Sequence, residues 1–447
     1  MSDKIYDVIV IGGGPAGMMS AGRAGELGAK VILLEKNATL GKKLLITGGG
    51  RCNVTNAEFD NRKLAEKFKA DGKFLLSPLS KWSVKETLSF FHQRKMETKV
   101  ENENRVFPLS NKAQSVWEVM VNYIKENNVL VMVNSPVAEI LRENTQVTGV
   151  KLKNGKIING RSVIVATGGT SHPETGSTGD AFAWLGKLGH KIIEPIPSLV
   201  PLVAKDTWVK GLAGVGLSNI KLTPYLDGIK QVTSKKIRGS QTKPSQKILF
   251  THVGISGPSI LNMSKEIGEL LRYGEVVISL DLLPEYDYSR LNTALQNLFN
   301  KNAKKLLKNC LDEIIPSAMV RVVIEMSHID YEVNCNGISR ESRLKLITLL
   351  KGIPIHIDKL LGNDKAIVSS GGVALEEIDW QTMASKLYPN LFLIGDTLNI
   401  DRPSGGFSLQ LCWTTGFVAG CSAASTIHSE PVEARSDLAG AKLDNFE

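Results

Sequence analysis

Residues 6–35, from Tyr6 to Glu35, read Y-D-V-I-V-I-G-G-G-P-A-G-M-M-S-A-G-R-A-G-E-L-G-A-K-V-I-L-L-E. Val8, Ile9, Val10 and Ile11 form a short apolar run rich in β-branched side chains, the pattern of a parallel strand buried on both faces. Gly12, Gly14 and Gly17 follow at G-x-G-x-x-G spacing, with Pro15 and Ala16 between the last two. A helix is expected over 18–27, ending near Gly28. A second strand is expected over 31–34, with Glu35 at its carboxyl end. Gly12 permits the tight turn out of the strand, Gly14 lets a pyrophosphate approach the backbone, and Gly17 lets helix and strand pack closely. The helix N-terminus offers unpaired N–H groups and partial positive charge to that pyrophosphate. Glu35 stands where an acidic side chain accepts hydrogen bonds from an adenosine ribose. A lone glycine motif is weak evidence. Strand, glycines, helix, strand and acid in one run point to dinucleotide binding, without choosing between FAD and NAD.

The chain has 447 residues, enough for two or three domains. Residues 1–4 run directly into the first strand, so no signal peptide is expected. The apolar stretch 409–424 is interrupted by Gln410, Thr414, Thr415 and Gly416 and reads as a buried helix, not a membrane span. Five cysteines, Cys52, Cys310, Cys335, Cys412 and Cys421, are odd in number and scattered, which points to a reducing cytoplasm and away from a disulfide framework. None forms a C-x-x-C pair, which argues against a redox disulfide and an iron–sulfur cluster. The seven histidines show no metal spacing either. The net charge of +9 is uneven: between residues 205 and 247, nine lysines and arginines face only Asp206 and Asp227. That stretch is either a solvated face or a footprint for an anionic partner, RNA being the natural one.

After Glu35 the chain runs K-x-x-x-L-G-K-K-L-L-I-T-G-G-G-R-C-N-V-T-N to Asn56. Three consecutive glycines between apolar residues and Arg51-Cys52-Asn53 suggest close approach to a flat or phosphorylated ligand. Helices are expected over 85–93 and 112–126, with Trp82, Leu88, Phe91, Trp117, Met120 and Ile124 as core. Strands are expected over 129–133, 137–141, 147–153 and 156–158, the last pair joined by a hairpin turn at Asn154-Gly155. Residues 161–169 read as a buried strand running into Gly168 and Gly169. Pro195, Pro197 and Pro201 mark a boundary. Beyond it, short runs at 200–203, 220–226, 246–251 and 275–280 predict a β-rich insert. Residues 289–323 and 340–350 predict helices, and 366–368 and 391–394 predict strands. The latter ends in Gly395-Asp396. A buried helix then starts near Gly406 and runs to about residue 428.

Three strand ends share one explanation. The glycine loop, Ala166-Thr167-Gly168-Gly169 and Gly395-Asp396 can all reach the carboxyl edge of one parallel sheet, where ligands bind in open α/β folds. Asp396 would accept a hydrogen bond from a ribityl hydroxyl, which belongs to FAD and not to NAD. The helix beginning near Gly406 would direct its N–H groups at the flavin N1–C2=O edge and stabilise negative charge there.

On these residues the chain resembles the bacterial BaiN/YhiN-like family of FAD-dependent flavoproteins. The matching stretches are Gly12 to Gly17 with Glu35, Thr47-Gly48-Gly49-Gly50-Arg51-Cys52-Asn53-Val54-Thr55-Asn56, Phe250-Thr251-His252-x-Gly254-x-Ser256-Gly257-Pro258, Ser370-Gly371-Gly372-Val373, Thr382-Met383-x-Ser385-Lys386, and Gly405-Gly406-Phe407-Ser408-Leu409-Gln410. The chain departs from the family at Gly395-Asp396-Thr397-Leu398-Asn399, where G-E-x-L-D is usual, and at Phe407-Ser408, where Tyr-Asn is usual. The resemblance implies a two-dinucleotide-binding-type, Rossmann-like α/β FAD domain interrupted by a β-barrel-like insert and a small helical subdomain. The expected division is 1–193 with 364–447 for the FAD domain, 194–281 with 352–363 for the β-rich insert, and 282–351 for the helices.

The expected cofactor contacts are Gly12, Gly14, Pro15, Ala16, Gly17, Glu35, Lys36, Lys43, Gly50, Arg51, Cys52, Asn53, Val137, Ala166, Thr167, Gly168, Gly395, Asp396, Gly405, Gly406, Phe407 and Ser408. The resemblance implies an oxidoreductase. Some members are linked to C=C reduction in small molecules, others to reduction of uridine to dihydrouridine in ribosomal RNA, and the basic stretch favours RNA here. Cys52, with its pKa perturbed by the adjacent Arg51, is the expected proton donor; a small buried filler is the other reading. His252 is the second candidate, against a packed structural histidine. No second strand–GxGxxG–helix unit occurs, so NAD(P)H, as reductant, would bind only transiently. Two other readings stand beside the RNA one: a small-molecule reductase or dehydrogenase, and a non-catalytic RNA-binding flavoprotein.

Overall fold

The computed structural model describes residues 5–230, 246–362 and 364–425. It divides into two compact units: residues up to Ile196 together with those from Val368 on, and Pro197–Ile367. Four of the basic residues noted above, Lys235, Lys236, Arg238 and Lys243, lie outside the described residues.

The first unit is built on a parallel sheet. Its strands lie in the order Leu391–Leu393, Ile157–Val165, Tyr6–Ile11, Val31–Leu34 and Leu130–Met132. Val10 lies opposite Leu33 on one side and Ile164 on the other. Val8, Ile9 and Val10 are fully buried, as their unbroken apolar run requires of a strand covered on both faces. The sheet extends to nine strands through a meander, Val137–Glu143 and Gln146–Leu152, and through Ile378–Asp379 and Ala384–Ser385. The runs 156–158 and 161–165, separate in the sequence pattern, form one strand, Ile157–Val165. The run at 366–368 is only the edge of the strand Val368–Val373; its Ser369-Ser370-Gly371-Gly372 centre has no apolar signature.

The helix Pro15–Glu26 packs against the last described helix, Phe407–Ser425. Small residues set how closely they approach. A Cβ on Gly416 would stand 2.6 Å from the Ala16 carbonyl, and one on Gly420 2.6 Å from the Ser20 carbonyl. The terminal helix is buried on nearly all sides, so its apolar sequence follows from its place in the core. Among the described residues, no helix is long and apolar enough to cross a membrane.

The second unit is antiparallel. Gly216–Leu226, Gln246–Phe250, Gly254–Ser256, Leu202–Ala204, Ile353–Leu360 and Val276–Asp281 pair in that order, and Val276–Asp281 pairs back with Gly216–Leu226, so the ring closes. Closure leaves these six strands without an unpaired edge. The expected helical stretch 289–323 is three helices, Tyr288–Lys301, Lys308–Leu311 and Ser317–Met326. Pro316, at the N-cap of the third, has no N–H and disfavours helix in the residue before it. With Arg340–Leu350 these helices bury Leu291, Leu295, Val323 and Leu346 in a core separate from that of the parallel sheet.

Candidate cofactor site at the sheet edge

Gly12 leaves the first strand at φ +104°, and a Cβ there would stand 2.5 Å from the Ala166 carbonyl. A Cβ on Gly17 would meet the Gly12 carbonyl at 1.9 Å. Both positions therefore need glycine for the protein's own packing. Gly14 does not: nothing lies within 4 Å of its ideal Cβ, and its φ of −78° suits any residue. The space it faces is open on the side where a ligand would meet the backbone. Gly14 is also the N-cap of the helix, with no side-chain cap bond, and Pro15 opens the first turn. The first-turn N–H groups have no intrahelical acceptor and remain available to an anion.

Glu35 is held before any ligand arrives. Its Oε2 accepts from the Gly13 N–H at 2.8 Å, and its Oε1 accepts from the Asn37 N–H and Nδ2, both at 2.8 Å. A carboxylate has about four acceptor positions, so roughly one remains for a ribose hydroxyl. Val137 begins its strand nearby in the chain's path: the Ser135 N–H donates to the Glu35 carbonyl at 2.9 Å. Lys36 turns to Asp180 (2.8 Å) and Thr178, and the Asn37 Nδ2 donates to the Thr175 carbonyl at 3.0 Å. These contacts tie the loop that follows Gly168 and Gly169 to the end of the second strand.

The three strand ends meet. A Cβ on Gly395 would stand 3.2 Å from the Ala16 Cβ, and one on Gly17 3.3 Å from the Ala166 Cβ. The Thr170 N–H donates to Ser369 Oγ at 3.0 Å. The glycine-rich stretch joins them through the terminal helix: the Asn56 Nδ2 donates to the Gly405 carbonyl at 3.1 Å, and a Cβ on Gly406 would stand 2.4 Å from the Thr55 carbonyl. Gly48, Gly49 and Gly50 are all left-handed, and nothing lies within 4 Å of the ideal Cβ of Gly49 or Gly50. Buried side-chain oxygens without a hydrogen-bond partner collect in these segments: Asn53 Oδ1, Thr167 Oγ1, Thr170 Oγ1 and Thr397 Oγ1. Orphaned buried polar atoms call for an explanation, and a polar cofactor supplies one. The residues present fit FAD.

Lys43 and Asp396 carry the charge. Lys43 Nζ donates to Ser171 Oγ at 2.9 Å. Burial holds its pKa below the usual lysine range, with the nearby Asp396 carboxylate opposing that shift. Asp396 is ion-paired with Arg402, whose side chain is 1% exposed. Arg402 also donates to Ser408 Oγ and to the Ile400 carbonyl, each at 2.9 Å. One Asp396 oxygen is thus committed to Arg402 in addition to any role toward a ribityl chain. Arg402 is missed by a reading of glycines and acids. Its signal is a lone arginine, in Asp401-Arg402-Pro403, three residues before the glycine pair that precedes the helix. Phe407 is buried, edge-on against Phe68 with ring centroids 6.1 Å apart.

The expected activation of Cys52 by Arg51 is not what the structure contains. The Arg51 guanidinium is engaged by Glu101 and Asn111 and lies 4.1 Å from the centre of the Phe107 ring. Cys52 is fully buried, and burial pushes its thiol up to about 12 against a hydrogen bond with Thr47 that acts to lower it. Cys52 also sits at φ +60°, a left-handed position unusual for a residue with a side chain. His252 is not a packed core histidine either. It is exposed in the second unit, on the turn closed by the Thr251 N–H to the Gly254 carbonyl at 2.8 Å.

A model of the HI0933-like protein Rossmann domain matches residues 6–422. The 3-dehydro-bile acid delta(4,6)-reductase of Clostridium scindens is 29% identical over 93% of this chain and 98% of its own length. The ribosomal RNA dihydrouridine synthase of Escherichia coli is 26% identical over 92% of this chain and 96% of its own. Among solved structures, 3-ketosteroid delta1-dehydrogenase from Sterolibacterium denitrificans superposes with a TM-score of 0.52 at 14% identity, over 94% of this chain and all of that one. A flavocytochrome c3 fumarate reductase gives 0.51 at 15% identity, over 94% and 78%. At such identities these two structures speak for the fold alone.

Proposed function

The chain belongs to the HI0933-like Rossmann family, whose members are FAD-dependent oxidoreductases, and on that premise we propose that it reduces a carbon–carbon double bond, with uridine in ribosomal RNA as its preferred substrate. The supporting observation is that two relatives matched over more than nine-tenths of this chain are named for adding hydrogen across such a bond, one in a steroid acid and one in uridine. FAD, when bound, supplies the hydride chemistry. The helix opening at Gly14 and Pro15 would hold its pyrophosphate, Glu35 its adenosine ribose, and Asp396, fixed by Arg402, its ribityl chain. Asn53, Thr167, Thr170 and Thr397 have the unpaired oxygens to complete the cradle.

Adding hydrogen across C=C also needs a proton. Lys43 is our choice for the group that delivers it. It is half-buried, its pKa is lowered, and Nζ is oriented by Ser171. An acid shifted from the ordinary lysine range toward neutrality transfers a proton more readily than a thiol raised to about 12. RNA is preferred over a small enone because of the basic excess between residues 205 and 247, which would contact phosphates. NAD(P)H would reduce the flavin as a transient ligand.

The test uses the flavin-loaded protein, pre-reduced with NADPH or NADH and mixed with either ribosomal RNA or a steroid enone acid. Faster reoxidation by RNA, weakened by salt, is the expected result. Reoxidation by the enone alone would move the assignment to a small-molecule reductase. Binding of RNA without reoxidation would make the chain a non-catalytic RNA-binding flavoprotein.

A further inference from the structure

A cavity of about 300 Å³ opens at the other end of the glycine-loop helix, among residues that the dinucleotide fold does not use. Arg23 and Glu26 come from the last turns of Pro15–Glu26. Trp82, the C-cap of helix Gly72–Lys81, helix Val84–Gln93 with its C-cap Arg94, helix Ala113–Glu126 and the terminal helix supply the rest. At 1.5 Å per residue, Arg23 lies roughly 14 Å along the helix from Gly14, so this is not the pyrophosphate end.

Aromatic rings form the walls. Trp82 and Phe417 lie with centroids 4.2 Å apart, and Phe90 stands edge-on to Tyr123 at 4.9 Å. The charges at the cavity are unequally matched. Glu26 accepts on one oxygen, Oε2, from the Tyr123 hydroxyl at 2.7 Å and from Arg23 at 2.9 Å. Glu86 also uses one oxygen, Oε2, as the capping-box partner of Ser83. Arg94 forms no ion pair among the described residues, although its charge helps hold the Glu26 carboxyl below the usual range. Its guanidinium lies 3.9 Å from the Phe90 ring centre and 4.6 Å from that of Tyr123. Among the described residues its only hydrogen bond is from Nη1 to the Phe90 carbonyl at 3.2 Å, and its Nε is buried with none. Among the described residues, neither Arg94 nor Lys85, which is exposed beside the cavity, takes part in an ion pair.

We infer that this cavity binds a small aromatic carboxylate, its ring packed among the lining side chains of Trp82, Phe90 and Phe417 and its carboxylate on Arg94. A guanidinium presents donors in a planar fork that matches a carboxylate, and a flat ring stacks on aromatic walls with little ordering cost. The volume is at the lower end for ligand pockets, which suits one or two fused rings and excludes a dinucleotide. Trp82 donates its own N–H to Thr87 at 2.9 Å, so it offers the ligand apolar contact and not a hydrogen bond.

The test titrates the flavin-loaded protein with indole-3-carboxylate and, separately, with neutral indole, by calorimetry. The carboxylate should bind at one saturable site, about 10-fold or more tighter than indole, the factor set by one charge-assisted hydrogen-bonded contact. Arg94→Gln should remove that advantage while flavin content is kept. Ser89→Glu, an exposed change beside the cavity, should weaken the carboxylate and leave indole unaffected, and it covers the case in which Arg94→Gln does not fold. Equal affinity for indole and its carboxylate, parental binding in both variants, or no saturation by about 5 mM would each overturn the site.

Discussion

Arg402→Met is the substitution whose consequence follows most directly from the geometry. The methionine keeps much of the side-chain volume but removes every donor. Asp396, Ser408 and the Ile400 carbonyl each lose a partner. With the Arg402 side chain 1% exposed and that of Asp396 13%, water does not replace the guanidinium freely. Breaking a buried pair by removing one partner costs about 3–5 kcal/mol, chiefly because the other charge stays buried and uncompensated. In a unit of this size that corresponds to a fall of roughly 6–15 °C in its melting transition. The assay is thermal melting of the FAD-free protein followed by calorimetry, in parent, Arg402→Met, Asp396→Asn and the double variant. The double variant should melt above Arg402→Met, because asparagine leaves no charge to strand. A loss below about 1 kcal/mol, or a double variant no better than Arg402→Met, would refute the claim that this pair is a buried, interdependent unit.

Gly14→Ala and Gly12→Ala separate ligand space from protein packing. Gly14→Ala should leave the stability of the FAD-free protein within about 0.5 kcal/mol and sharply lower FAD affinity, whereas Gly12→Ala, at φ +104° and 2.5 Å from a carbonyl, should lower both; melting and flavin-fluorescence titration read the two quantities. If Lys43 delivers the proton, turnover should fall as pH rises, with the alkaline limb below the ordinary lysine value of 10.5, and Lys43→Met should lose both rate and limb while still binding FAD. Cys52→Ala should keep FAD and stay within about threefold of parental turnover, since a buried thiol raised to about 12 is a poor acid; loss of turnover on a fully loaded protein would restore Cys52 as the donor.

Much of the parallel sheet was legible because its signals are local. Val8 to Ile11, Val31 to Leu34 and Leu391 to Leu393 are continuous apolar runs, and each leads into a glycine or an acid at the ligand edge. Glu35 was legible by its spacing from Gly17. Arg402 was not, because its importance comes from Asp396 and Ser408, with which it shares no motif. Val368–Val373 was read too short because two serines and two glycines occupy its centre, and only tertiary pairing makes it a strand. Arg51 was misread for a related reason. Adjacency to Cys52 in sequence says nothing about side-chain direction, and Phe107, Glu101 and Asn111 draw the guanidinium elsewhere. The pairing that closes the six-stranded ring joins strands some 50 residues apart, which no local pattern encodes.

The account is tested most directly by mass-spectrometric mapping of nuclease fragments of ribosomal RNA from cells with and without this gene. The proposal predicts at least one uridine two hydrogens heavier in the parent. That mark should be absent from the deletion and restored by the parental gene but not by Gly14→Ala. Identical maps in parent and deletion would contradict it.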